Sequence, residues 1–303
     1  MARIEIERFN NQKLEELAQL QAEIFNKANS KDPDFLPSKV EDVIKRFKNE
    51  KFDPKRMFYA YQGEKMIGYS GLTGKNVKAN LRGFGYPWLL DGVDQTVRDL
   101  LYEAMEKQCR DEGTEHLEVQ PVVFQTPQFQ ERLDFFKGKQ FAIKNEFLLY
   151  EKELKHNKYD LPKGYTFRAL VEDDLEKLVE VAKTDSKLKG SFEPNDWKDY
   201  IQSPDFDPSY IVVAEFENEV VGIYGMYLST NPKDTKAYFG GIVVHGNHQN
   251  IEEYLFMEIE NRALEKGKKI FQIMYYPDSE RLPYAKEHGY KQTRKAYHLE
   301  KNL

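Results

Sequence analysis

His245 and His248 stand three residues apart in a chain with only six histidines. An imidazole titrates near neutrality, so either ring has the chemistry of a general base at physiological pH. The His-x-x-His spacing does not by itself make a metal site, because no third ligand is visible beside it. The single cysteine, Cys109, falls at helical spacing with Val97, Leu101 and Met105, which reads as a core thiol. Asp91, Asp94, Glu252 and Glu253 precede or open helical stretches, where carboxylates stabilise the helix dipole. Positioning any of these groups requires an ordered scaffold, and the composition supplies one.

The chain has 303 residues, a prior for two domains at roughly 150 residues each. With 40% hydrophobic residues, 20 Phe and 19 Tyr, each half can bury its own core. Net charge is 45 − 51 = −6, and no Lys/Arg run forms a phosphate-tracking stripe, so nucleic acid is not an expected partner. One cysteine excludes an intrachain disulfide framework and fits a reducing compartment. No apolar stretch approaches the roughly 18 residues of a membrane span, and Met1–Phe9 alternates charged and apolar residues where a signal peptide needs an apolar core. The expectation is a cytoplasmic protein without a membrane partner.

The chain repeats itself. Met57–Gly71 (MFYAYQGEKMIGYSG) matches Ile211–Gly225 (IVVAEFENEVVGIYG), with Gly68 against Gly222 at an offset of 222 − 68 = 154. The same offset aligns Gly92 with Gly246, Gln95 with Gln249, Leu101 with Leu255 and Gly113 with Gly267. The polar segment Lys155–Gly164 lies between the copies and reads as a linker, giving domains 1–157 and 158–303. Each copy reads as a strand (Ile4–Arg8 or Tyr165–Arg168), an amphipathic helix, and then a hairpin. A further strand (Phe84–Leu90 or Ala237–Val244) leads into a helix stopped by Gly113 or Gly267. A strand, a short helix and a last strand follow. Because the hairpin demands antiparallel pairing, the class is mixed α/β, α+β rather than doubly wound.

This order, found twice, resembles the GNAT N-acetyltransferase superfamily over nearly the whole chain. The phrases Asp134-Phe135-Phe136-Lys137-Gly138-Lys139-Gln140-Phe141 and Leu282-Pro283-Tyr284-Ala285-Lys286-Glu287-His288-Gly289-Tyr290 look like the family's helix-to-strand turn. The resemblance implies two tandem domains, each with a mostly antiparallel central sheet flanked by helices, that bind acetyl-CoA or another acyl-CoA between splayed fourth and fifth strands. It implies direct transfer of the acyl group to an amine, from a small molecule or a peptide, by a monomer or homodimer. Strand-four backbone at Val243 and Val244, or Leu89 and Leu90 in the first copy, would align the pantetheine arm. The family's glycine-rich diphosphate loop matches Gln95-Thr96-Val97-Arg98 and Gln249-Asn250-Ile251, yet neither stretch contains a glycine, so side chains obstruct close backbone approach. Arg98 offsets this in the first copy. Where the family places a tyrosine acid, the copies carry Phe136 and Ala285, leaving Tyr284 one residue away. Tyr238, His245, Tyr86 and Glu118 complete the candidates for orienting or deprotonating an amine. Pro87 removes a backbone donor from strand four of the first copy, making the second copy the better expected catalyst. The alternative is a duplicated pseudoenzyme whose clefts bind another ligand or a protein.

Overall fold

The computed structural model describes residues 3–30, 37–48, 56–72, 78–80, 86–119, 129–188, 207–228 and 233–303. By their internal contacts these residues form two compact units, Met1–Phe147 with Arg294–Leu303, and Leu148–Thr293. The sequence copies, 1–157 and 158–303, therefore trade the segments at their ends.

In unit 1, β1 (Ile4–Arg8), α1 (Leu14–Asn29), α2 (Val40–Phe47), β2 (Met57–Gln62) and β3 (Lys65–Gly71) come first. They are followed by β4 (Lys78–Asn80), β5 (Trp88–Leu89), α3 (Thr96–Asp111), β6 (His116–Val119), α4 (Phe129–Gly138) and the start of β7 (Ala142–Glu153). One antiparallel sheet runs β1-β2-β3-β5. In the second, β6 pairs parallel with β4 and antiparallel with β13 (Lys291–Asn302), the last strand of the chain. Leu17, Leu20 and Ile24 of α1, and Val97, Leu101, Met105 and Cys109 of α3, share one core with Met57, Tyr59, Ile67 and Tyr69. The helical stripes read in the sequence are thus the buried ones.

Unit 2 contains β8 (Tyr165–Arg168), α5 (Asp174–Thr184), β9 (Ile211–Phe216), β10 (Glu219–Leu228) and β11 (Lys236–Val244). A 3-10 turn at Gly246–Ile251 leads into α6 (Glu252–Glu265), then β12 (Ile270–Tyr275) and α7 (Leu282–Glu287). The sheet order is β7-β12-β11-β10-β9-β8. Successive side chains face opposite sides: Ile211, Val213, Ile223 and Val243 pack with Leu175, Leu178 and Val181 of α5, whereas Val212, Tyr224, Ile242 and Val244 pack with Leu255, Phe256 and Ile259 of α6. Burial on both faces explains why these strands read as continuous apolar runs. The segment read as a linker is anchored to α6: Asn157 N–H donates to Asn261 Oδ1 at 2.8 Å, and Asn261 Nδ2 donates back to Asn157 O at 3.0 Å.

The glycine register of the repeat has a steric cause. A Cβ on Gly68 would lie 2.6 Å from Leu89 Cδ2, 2.8 Å from Trp88 O and 3.4 Å from Leu101 Cδ1. On Gly222 it would meet Val243 O at 3.2 Å and Leu255 Cδ1 at 3.3 Å. In both copies the helix after strand four lays its leucine over the bare backbone of strand three.

Strand β11 leaves its parallel neighbour early. Only Lys236↔Ile270, Ala237↔Phe271 and Tyr238↔Gln272 pair; Phe239–Val244 continue beside β10 alone. The pairs Gly225↔Gly241 and Met226↔Phe239 leave Gly240 as a bulge, and a bulge bends the strand that carries it. A Cβ there would sit 2.9 Å from Gly225 O.

Gly68→Ala and Gly240→Ala are each expected to lower the urea midpoint by the equivalent of about 1–3 kcal/mol, the usual cost of overpacking. Gly138→Ala, with nothing within 4 Å of the added carbon, is expected to change it by less than about 0.5 kcal/mol. Residues 148–293 expressed alone keep β7 beside β12 and are expected to unfold cooperatively in denaturant. Residues 158–303 lack Leu148–Glu153, which pair with β12, and are expected to show no cooperative transition.

Candidate functional site

The opening between β11 and β12 brings together groups that are distant in sequence. His245 N–H donates to Val221 O at 2.8 Å, so the ladder to β10 uses alternate residues and Val244 turns its N–H and C=O away from β10. Both groups are already bonded. The Val244 N–H donates to Asp185 Oδ2 at 2.9 Å, and Val244 O accepts from Gln249 Nε2 at 3.0 Å. Val243, the other expected strand-four contact, is buried against α5 and β10.

Asp185 belongs to a closed set of charges. Arg281 Nη2 donates to Asp185 Oδ2 at 2.7 Å, Arg281 Nε lies 3.4 Å from Glu252 Oε1, and Lys187 Nζ lies 3.3 Å from Glu252 Oε2. Asp185, Arg281 and Glu252 are only 6%, 4% and 4% exposed. Two cations against two carboxylates leave the cluster neutral, which is how charged groups survive burial. Glu253 instead meets His288 Nε2 at 3.1 Å. The two carboxylates that open α6, Glu252 and Glu253, are therefore held by partners of their own.

The turn after β11 is equally self-contained. Gly246 N–H donates to Thr184 Oγ1 at 3.0 Å, Asn247 N–H to His245 Nδ1 at 3.1 Å, and His248 N–H to His245 O at 2.8 Å. Because His245 Nδ1 accepts, the proton of its neutral ring sits on Nε2. His248 Nδ1 is hydrogen-bonded to the Tyr165 hydroxyl at 2.8 Å, and burial, followed by the electrostatic cost of charging it beside the His245 imidazole, lowers the pKa of His248. Asn250 Oδ1 accepts from Tyr165 Oη at 3.2 Å, and Ile251 is core.

Tyr284, on α7, stacks on His288 with centroids 3.8 Å apart and lies 4.5 Å from the Phe256 ring. Burial, reinforced by the charges of Glu260, Glu253 and Glu252, raises its pKa, so the phenol keeps its proton. Tyr238, where β11 and β12 still pair, donates to Asp234 Oδ2 at 2.8 Å and stacks on Tyr227. The three proposed catalytic side chains therefore have separate local partners. Two phenols not singled out in the sequence, Tyr224 and Tyr275, are buried without a hydrogen-bond partner. Tyr275 ends β12, and its ring meets that of Phe239 on β11 at 5.5 Å. Nothing in their local sequence distinguishes these tyrosines from core residues, and Asp185 and Arg281 lie outside every matched phrase.

In unit 1, Leu90 N–H donates to Ile67 O at 2.9 Å beyond the Gly68↔Leu89 pair. Gln95 makes no side-chain cap. Asp94 does: its Oδ1 accepts from Thr96 N at 2.8 Å and Thr96 Oγ1 at 2.9 Å, the cap lowering the Asp94 pKa. Val97 N–H and Arg98 N–H donate to Asp94 O and Gln95 O. Arg98 binds Pro87 O at 3.2 Å and Glu131 Oε1 at 2.5 Å and covers the Tyr86 ring. Glu118 pairs across strands with Glu300, near His298, and Lys144 binds both carboxylates. Lys144 thus supplies a positive charge to both carboxylates of this cluster.

The comparisons with known proteins follow this geometry. No protein-family model and no curated protein matches the sequence. A solved GCN5-related N-acetyltransferase from Sphaerobacter thermophilus is similar with TM-score 0.70 at 13% identity, over 99% of this chain and 95% of that one. A tandem GNAT protein from the clavulanic acid biosynthesis pathway is similar with TM-score 0.70 at 13% identity, over 99% and 98%. A structure of a fungal multi-domain β-N-acetylglucosaminidase with a GCN5-related glucosamine N-acetyltransferase region gives TM-score 0.72 at 12% identity, over 99% of this chain and 38% of that one. At these identities the likeness establishes the fold: α+β, tandem GNAT-type. Among the described residues no helix is long and apolar enough to cross a membrane.

Coenzyme A, which the fold implies, does not fit the arrangement as folded. The strand-four groups and the turn amides that would receive its pantetheine and diphosphate have internal partners in unit 2, and in unit 1 Asp94 caps the helix start.

Elsewhere in unit 1, a groove of about 430 Å3 is lined by Tyr102, Glu106, Arg110, Lys139 and Lys301 among others. Burial would raise the Glu106 carboxyl, but hydrogen bonds from Lys301, Tyr102 and Arg110 outweigh it and hold the pKa at about 2. A depressed carboxyl stabilises the fold above its unfolded pKa and loses that contribution as pH falls. Glu106→Gln is therefore expected to cost about 1–2 kcal/mol at pH 7 after solvent screening. In chemical denaturation the difference from the parent should shrink from pH 4.5 down to about 2.

Proposed function

We propose that the chain is an N-acyltransferase that moves an acyl group from an acyl thioester, acetyl-CoA or a related acyl-CoA, to the primary amine of a small molecule or peptide. The observation that supports this most directly is the parting of β11 from β12 after three paired residues, within a GNAT-type fold. A parallel pair that separates in this way leaves one edge of each strand to be met by something other than the neighbouring strand. Unit 2 is the half we assign to the reaction. Its opening adjoins the buried phenols of Tyr224 and Tyr275, which lack partners and stay protonated because burial raises both pKa values. Tyr284 retains a proton for the same reason, and His245 stands at the end of β11. A cytoplasmic site of action agrees with the lone cysteine, Cys109, whose thiol burial pushes up to about 11.

A second reading, a duplicated pseudoenzyme binding another ligand or a protein, is favoured by the internal hydrogen bonds at Val244 and Gly246. Thermal denaturation separates the two. Acetyl-CoA that binds only the folded chain adds RT ln(1 + [L]/Kd), about 2.7 kcal/mol at one hundred times Kd. The acyltransferase reading expects the melting temperature to rise with ligand concentration. An unchanged melting temperature at about millimolar ligand, far above a typical micromolar affinity, would favour the pseudoenzyme.

A further inference from the structure

We infer that Thr184, Asp185 and Gln249 form an internal latch that stands in for a ligand's amide on the free edge of β11, and that an occupant of the opening must displace it. The inference rests on the acyl-thioester reading of unit 2. Its basis is the pairing at one residue. On the edge of Val244 that faces away from β10, a carboxylate oxygen accepts from the N–H at 2.9 Å and a side-chain amide donates to the C=O at 3.0 Å. An acceptor and a donor side by side are what an amide group lying along a strand edge presents. Thr184 extends the same substitution by one step, its Oγ1 accepting from Gly246 N–H at 3.0 Å.

The latch also reaches across the opening. Asp185 follows α5, and through Oδ2 it joins β11 to Arg281, which immediately precedes α7. One carboxylate thus bridges the strand that departs and the segment beyond the strand it departs from. Gln249 Oε1 is buried with no hydrogen-bond partner, so the Gln249 amide is only half satisfied in the latched position. An unsatisfied acceptor weakens the closed arrangement relative to one in which it finds a donor. Glu252 holds Arg281 independently of Asp185, so the guanidinium keeps a counter-charge when the latch leaves. These two features lower the cost of release, because the guanidinium stays paired.

Competition of this kind lowers apparent affinity by the fraction of molecules unlatched. Calorimetric titration of the full chain with coenzyme A is the test, comparing the parent with Asp185→Ala and Gln249→Ala. Asp185→Ala removes one counter-charge from Arg281 and is expected to melt lower. Gln249→Ala breaks no ion pair and keeps the experiment informative should the first variant fold poorly. The latch predicts that both folded variants bind coenzyme A about tenfold or more tighter than the parent. Parent binding as tight as, or tighter than, that of both variants would overturn the latch and leave the acyl-thioester reading standing. No binding by any of the three would overturn both.

Discussion

A buried backbone amide must find a hydrogen-bond partner, and in unit 2 that requirement governs the opening between β11 and β12. Once β11 bends at its bulge and parts from β12, the edge it exposes has lost the neighbour that would have paired it. Sheet geometry creates the opening, and the unmet groups then dictate what can fill it. Asp185 and Gln249 meet the need at Val244. Arg281 follows because the buried Asp185 carboxylate demands a counter-charge, and Glu252 lies against the buried guanidinium in the same way.

The same reasoning explains how charge is distributed around the site. Removing one member of a buried ion pair typically costs 3–5 kcal/mol, whereas replacing the whole pair by apolar groups is often neutral. A four-membered neutral cluster is therefore a poor way to add stability and a good way to fix three chain segments in register. It joins the end of α5, the start of α6 and the approach to α7, which contribute Asp185 and Lys187, Glu252, and Arg281. The turn at Gly246–Ile251 lies between β11 and α6, and its internal bonds to Thr184 and His245 give it a definite shape.

Much of the fold was legible in the sequence, because side-chain periodicity and steric necessity write themselves locally. The matching of Gly68 with Gly222, and of Leu101 with Leu255, marked the same helix-over-strand crossing twice. Leu14, Leu17, Leu20 and Ile24, like Leu175, Leu178 and Val181, recur at helical spacing and fall on the two first helices. The site was less legible. Gln249 and Val244 were singled out as ligand contacts, and the structure pairs them with each other; Arg98, expected to reach an anion, is held by Glu131 and Pro87. Asp185 and Arg281 carried no signal, since their meaning comes from a contact spanning 96 positions. The ownership of the last strands was equally hidden: a strand's pattern shows that it pairs and which side is buried, while its choice of neighbour depends on the arrangement of the whole chain.

That ownership bears on how the molecule comes into being. Strand β6 takes as its partner Leu299–Asn302, residues made only after the whole of unit 2. Residues up to Phe147 thus leave the ribosome with the β6 edge that Leu299–Asn302 will pair still bare, and they wait through the synthesis of unit 2 before those residues arrive to cover it. Such an interval exposes unpaired backbone to intermolecular pairing. Unit 1 thus gains its full set of strands only after unit 2 has been synthesised, although most of its sequence is read before that of unit 2.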